Sequence, residues 1–176
     1  MNQQDNLLDD SYLSRYNEES EPIISVNQFM VLCFLSFGLY EMWWMYKAWR
    51  YFKEREHLDI SPVARAIFSY IFLWSLFDKI KTHAQRAGYT EDFSTAAFGI
   101  AFVIVNLLYK LPDPFWIASS FSFLALIPPF KALNYYKQYG SGEQVYEQES
   151  FSRNQLIVVI LGLIVWALVL IGLNVD

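Results

Sequence analysis

Five apolar stretches, residues 26–45, 66–77, 96–109, 115–127 and 156–173, alternate along the chain with polar, charged ones. The last is eighteen consecutive residues without a charge or a side-chain amide, long enough to span a bilayer and lacking the polar stripe of a soluble core helix. Ser25-Val26-Asn27-Gln28 has the form of a capping box and predicts a helix over 26–56. Its far end is crowded with Trp and Tyr, the residues that gather at headgroup level, and runs on as a basic stalk. Ser61 and Pro62 start a second helix, 61–87, which Gly88 can close. Ser94 or Thr95 caps a third over 95–111, and Pro112-Asp113-Pro114 turns the chain into a fourth, 114–127. Pro128-Pro129 is expected to stop that helix, leaving residues 130–154 as a polar loop before the last helix, 155–174. The predicted fold is all-α: a polytopic helical membrane protein of four to five transmembrane or re-entrant helices, occupying residues 25–176.

The second helix decides the map of sides. Its unbroken apolar part, residues 66–77, spans about 18 Å at the helical rise. A hydrocarbon core is ~30 Å thick, and runs this short are more often re-entrant or interfacial. Arg65 and Lys79 flank it as snorkelling cations. If all five segments cross, seven basic residues face six, which decides nothing. If residues 60–86 dip in and return, eleven fall on one face and only Arg15 and Lys110 on the other. The positive-inside bias favours that arrangement: four crossings, both termini outside the cytoplasm and residues 130–154 within.

Composition agrees with the class. The chain is 55% hydrophobic, against about 45–50% for soluble proteins. Its net charge of −5 resides in residues 1–24, with six acids and one base, which read as a disordered acidic tail. No cleavable signal peptide is expected, since that leader is acidic, and the first span should serve as an uncleaved insertion signal. No basic excess points to nucleic acid. Cys33, the only cysteine, sits within the first apolar block, where a small buried thiol is expected. Ser152-Arg153-Asn154-Gln155 repeats the Ser-x-Asn-Gln pattern of residues 25–28, as two independent caps or as the trace of a duplicated unit.

Candidate chemistry is thin. Glu41 lies about a turn inside the interface, and a chain reversal near residues 57–60 would pair it with Lys79, and Glu54 with Arg65. Asn106, within the third apolar stretch, is expected to hydrogen-bond across helices. The cluster Ser119, Ser120 and Ser122 permits close helix packing. The cations Lys47, Arg50, Lys53, Arg55, Lys81 and Arg86, with Arg65 and Lys79, would ring one membrane surface as anionic-lipid contacts. His57 and His83 lack metal-ligand spacing, and no phosphate loop, nucleophile elbow or zincin motif occurs, so no cofactor or metal is expected.

Leu35-Ser36-Phe37-Gly38-Leu39-Tyr40-Glu41 followed by Trp44-x-Tyr46-Lys47 resembles the opening motif of a bacterial multi-pass membrane family of uncharacterised function. Glu54-Arg55-Glu56, Ile60-Ser61-Pro62 with Arg65-Ala66-Ile67-Phe68, and Leu111-Pro112-Asp113-Pro114-x-Trp116 are similar to further blocks of that group. The likeness covers residues 25–175 and implies a bacterial inner-membrane protein, with no activity or catalytic residue to carry over. The favoured expectation is a non-enzymatic scaffold or accessory protein in the lipid bilayer that homo-oligomerises. The alternatives are a small channel or transporter, and a protein that binds anionic phospholipid.

Overall fold

The computed structural model describes residues 21–173. It is 75% helical and adds one small sheet that the apolar pattern does not reveal. Strand β1 (Glu21–Ile24) leads into α1 (Val26–Leu35), and α2 (Leu39–Glu56) follows. Next come α3 (Pro62–Ile67), α4 (Ser69–Arg86) and α5 (Thr95–Leu107), the last extended by a 3-10 turn, Leu108–Lys110. A 3-10 segment, Phe115–Leu126, continues into α6 (Ile127–Tyr135) and a π turn, Tyr136–Gly140. Strand β2 (Val145–Gln148) and the long α7 (Arg153–Gly172) complete the chain. The acidic tail predicted over 1–24 lies outside the described residues except for its last four, which form β1 rather than a disordered leader.

The single helix predicted over 26–56 is two helices. Phe37 (φ 52°) and Gly38 (φ 84°) adopt the left-handed conformation, which an α-helix cannot contain. Ser36 sets the turn: its hydroxyl donates to the Cys33 carbonyl at 3.2 Å and accepts from the Tyr40 amide at 2.9 Å. The chain folds back, so Phe29 near the start of α1 meets Tyr40 and Trp44 of α2, at ring distances of 6.3 and 5.7 Å. The helix predicted over 61–87 is likewise broken, at Phe68 (φ −90°, ψ 38°). Arg65 before the break reaches over the ring of Phe72 after it, at 5.1 Å. No residue type marks this second break.

Pro128 and Pro129 do not stop the fourth helix. They fall at the start of α6, where a missing N–H is harmless because the preceding turn is 3-10 rather than α. A helical path therefore runs from Phe115 to Gly140, and the loop predicted over 130–154 is replaced by α6, the π turn and β2.

Contacts taken in order fix the directions. Glu41 meets Ser122, Trp44 meets Phe130, Tyr51 meets Tyr136 and Arg55 meets Glu143, so α2 runs parallel to the 115–140 path. Tyr70 with Phe102 and Lys81 with Phe93 make α4 antiparallel to α5. The chain thus forms three V-shaped hairpins, with apices at residues 37–38, 68 and 111–114. All open towards one end, where the sheet and nearly all the charges collect. The apices expose apolar side chains such as Leu39, Phe68, Ile71 and Phe115. Between them Phe29, Trp49, Phe52, Leu76, Phe77 and Phe130 form a buried aromatic core.

Strands β1 and β2 pair in parallel, Glu21 opposite Val145 through Ile24 opposite Gln148. Each feeds a capping box, Ser25 with Gln28 on α1 and Ser152 with Gln155 on α7, so the two helices start at one level and point the same way. This corrects the four-crossing arrangement, which set residue 25 and residues 130–154 on opposite faces. Charge counting took the first apolar stretch for a crossing, whereas it turns back at Gly38. Because Ser25 also orients α1 against the sheet, Ser25→Ala is expected to cost about 1 kcal/mol, read as a lowered melting temperature in detergent.

Candidate functional site

The breaker at residues 36–38 positions the most unusual group of the core. Glu41 sits in the first turn of α2, where the helix dipole favours a carboxylate, and it is buried. Its partner is Ser122, whose hydroxyl donates to Oε1 at 2.7 Å from the 3-10 segment. A 3-10 winding brings Ser119 and Ser122 onto one edge; Ser119 donates back to the Trp116 carbonyl at 2.8 Å. The pairing of Glu41 with Lys79 expected from sequence is therefore not made.

Helix α7 docks on the outside of the same apex. Gly162 lies so close to α1 that a methyl group placed there would sit 2.5 Å from the Leu35 carbonyl oxygen. Trp166 stacks on Phe34 and Phe37, at 4.6 and 4.8 Å, and its indole donates to the Phe34 carbonyl at 3.2 Å. That carbonyl is in the last turn of α1, where it otherwise accepts a long bond, 3.4 Å, from the Phe37 amide. The rest of α7 is open: only Gly162 and Trp166 are buried among its described residues.

Above this contact α2, α6 and α7 enclose a groove of about 710 Å3, to which α1 contributes Leu35. Its sheet end presents Lys47, Lys137 and Gln155, and its apex end Leu39, Leu161 and Val165. Gln155 also donates to the Tyr40 hydroxyl at 3.5 Å. The Lys137 ammonium lies 4.5 Å from the Tyr51 ring centroid.

The other candidates are structural clamps at the charged end. Lys79 pairs with Glu56 at 2.7 Å, and His83 Nε2 is 3.2 Å from the same carboxylate. Glu54 pairs with Arg50 within α2 rather than with Arg65, whose guanidinium lies over Trp49 at 4.2 Å. Arg55 ties α2 to the π turn, through the Tyr136 hydroxyl at 2.8 Å, the Ser141 carbonyl and Glu143 at 2.8 Å. Lys81 bonds the Phe93 carbonyl and pairs with Asp92, holding the Asp92 carboxyl below its ordinary range. Asn106 donates to Phe102 of its own helix at 3.0 Å, not across helices, because the four-residue spacing offers a nearer acceptor. Lys53 and Arg86 are exposed. Of the six cations expected to touch lipid, Lys47 alone lines the groove.

Sequence reasoning singled out Glu41, Ser122 and Lys47 but missed Gly162, Trp166 and Lys137. Gly162 and Trp166 were the available signal, a small residue and an indole four apart on an otherwise aliphatic helix. Among the described residues no three His, Cys, Asp or Glu side chains gather as a metal site would require. In comparisons with protein-family profiles, curated proteins and solved structures, nothing matches this chain.

Proposed function

We propose that this is an integral membrane protein inserted from one face, serving as a non-enzymatic scaffold or accessory. The observation that carries the proposal is α7: twenty residues, mean hydropathy 2.8, only 11% buried by the rest of the fold. At ~1.5 Å per residue it is about 30 Å long, the thickness of a hydrocarbon core. An aliphatic surface of that length needs lipid or a second copy of the chain, and a homo-oligomer packed through α7 is part of the reading. The path Phe115–Gly140 is the other helix long and apolar enough to cross.

The hairpin directions support insertion from one side. The α1–α2 and α3–α4 hairpins dip about halfway, while the third carries Tyr109, Lys110 and Asp113 to the far headgroups. Eleven of the twelve Lys and Arg among the described residues then share one face, leaving Lys110 opposite. That bias marks the charged face as cytoplasmic. Kinship with the bacterial multi-pass family belongs to the same proposal, and its opening motif coincides with the α1–α2 apex. Arg55, Lys79 and Lys81 tie their helices to neighbouring segments, as a scaffold requires. The buried Glu41 beside a broken helix favours the alternative, a small transporter built on discontinuous helices; proton or cation flux in proteoliposomes abolished by Glu41→Gln would establish it.

Alkaline-carbonate extraction of membranes holding the full chain tests the main reading. The chain is expected to stay with the membranes and to be released by detergent. Recovery in the carbonate supernatant would overturn it.

A further inference from the structure

We infer that the groove between α2, α6 and α7 is a binding site for one acidic phospholipid, drawn from the leaflet on the charged side. The inference rests on the membrane reading above but assigns a ligand that the reading does not require. Its first ground is polarity along the groove. Its cations and side-chain amides, Lys47 and Gln155 among them, all stand at the end beside the sheet, next to the apolar Ile23 and Ile24 of β1; Leu39, Leu161 and Val165 stand at the end beside the apex. This order follows α7 itself, since Gln155, Val158, Leu161 and Val165 recur every three or four residues on one face. A soluble anion would match only one end, and an alkane only the other. A phospholipid matches both, in the orientation that the insertion direction imposes.

The second ground is charge. Among the described residues Lys47 forms no ion pair, unlike Arg50, Arg55, Lys79 and Lys81. Its ammonium stands at the headgroup end of a groove that holds no carboxylate among its lining side chains. Lys137 also lines this end, but it is buried with its ammonium held over the Tyr51 ring, so the headgroup charge is assigned to Lys47. The Asn134 amide donates to the Ile24 carbonyl at 3.0 Å and the Gln155 amide to the Tyr40 hydroxyl at 3.5 Å, and the second N–H of each is left to meet a glycerol or ester oxygen. The third ground is size: 710 Å3 falls within the ~300–1,000 Å3 of ligand pockets, too large to be a packing fault. Trp43 and Tyr40 line the boundary between the two ends, the level at which indole and phenol rings meet ester groups.

Native mass spectrometry of the full chain in mild detergent, with equal phosphatidylglycerol and phosphatidylcholine added, tests the site. One phosphatidylglycerol per protomer is expected to be retained in preference to phosphatidylcholine. Lys47→Ala should weaken that retention about fivefold, with Lys47→Arg restoring it. Leu161→Trp, which fills the apex end without touching charge, should reduce retention of both lipids. Circular dichroism verifies that each variant keeps its helices, and the two variants stand at opposite ends of the groove. Equal retention of the two lipids, or wild-type retention by both Lys47→Ala and Leu161→Trp, would overturn the inference. So would displacement of the adduct by inorganic phosphate alone, which would mark an anion site without a chain slot. A chain that needs no detergent to stay soluble would instead refute the membrane reading.

Discussion

Gly162→Leu will detach α7 from the rest of the fold. The backbone at Gly162 is ordinary helix, so the whole cost is steric. Even the first added carbon would lie 2.5 Å from the Leu35 carbonyl oxygen and 2.7 Å from its Cβ. A side-chain tip could swing aside, but a carbonyl in the last turn of α1 cannot move without opening the turn at Ser36. Overpacking of a filled site costs about 1–3 kcal/mol, and a rigid obstacle puts this substitution at the upper end. Trp166 leaves with the helix, exposing the Phe34 and Phe37 rings and the Phe34 carbonyl. Melting temperature in detergent should fall sharply for Gly162→Leu and measurably for Gly162→Ala. Gly172→Leu, on the same helix with nothing within 4 Å, should melt as wild type.

Gly38→Val will damage the same apex for the opposite reason. Space exists there, since the nearest atom to an added carbon is Glu41 Oε2 at an ordinary 3.6 Å. The obstacle is the backbone, held at φ 84°. Left-handed conformation costs an L-residue roughly 1–2 kcal/mol, and a β-branched side chain more. Phe37 already occupies that region, so the turn has no second glycine to share the strain. Valine should favour straightening α1 into α2, which pulls Glu41 from Ser122 and opens the groove beside α7. Gly38→Asn, which tolerates the conformation, should keep most of the stability that Gly38→Val loses, in the same melting assay.

The contrast shows what the sequence can and cannot encode visibly. Caps are local, so Ser25, Ser61, Ser94 and Ser152 each mark a helix start where the structure has one. Apolar length is local too, and residues 156–173 announce α7 without ambiguity. The reversal at Gly38 was masked because the apolar run continues through it, and a lone glycine between aromatics reads as a tolerated interruption. The break at Phe68 has no marker residue at all. The sheet was missed because four-residue strands separated by 120 positions leave no periodic trace, and Pro22 reads as tail. Glu41 was recognised as a group needing a partner, but the partner depended on where the reversals fell. The reversal expected at residues 57–60 is present, but the break at Phe68 turns α4 back to the charged end, so Lys79 meets Glu56 and Glu41 meets Ser122.

Insertion from one side is the claim on which the rest depends, and sidedness labelling tests it most directly. Single cysteines at Pro22, His57, Ser150 and Asp113, in a Cys33→Ala background, would be probed in sealed vesicles with a membrane-impermeant maleimide. The account predicts that Pro22, His57 and Ser150 label together from the cytoplasmic face and that Asp113 labels from the other. Labelling of Pro22 and Ser150 from opposite faces would contradict it.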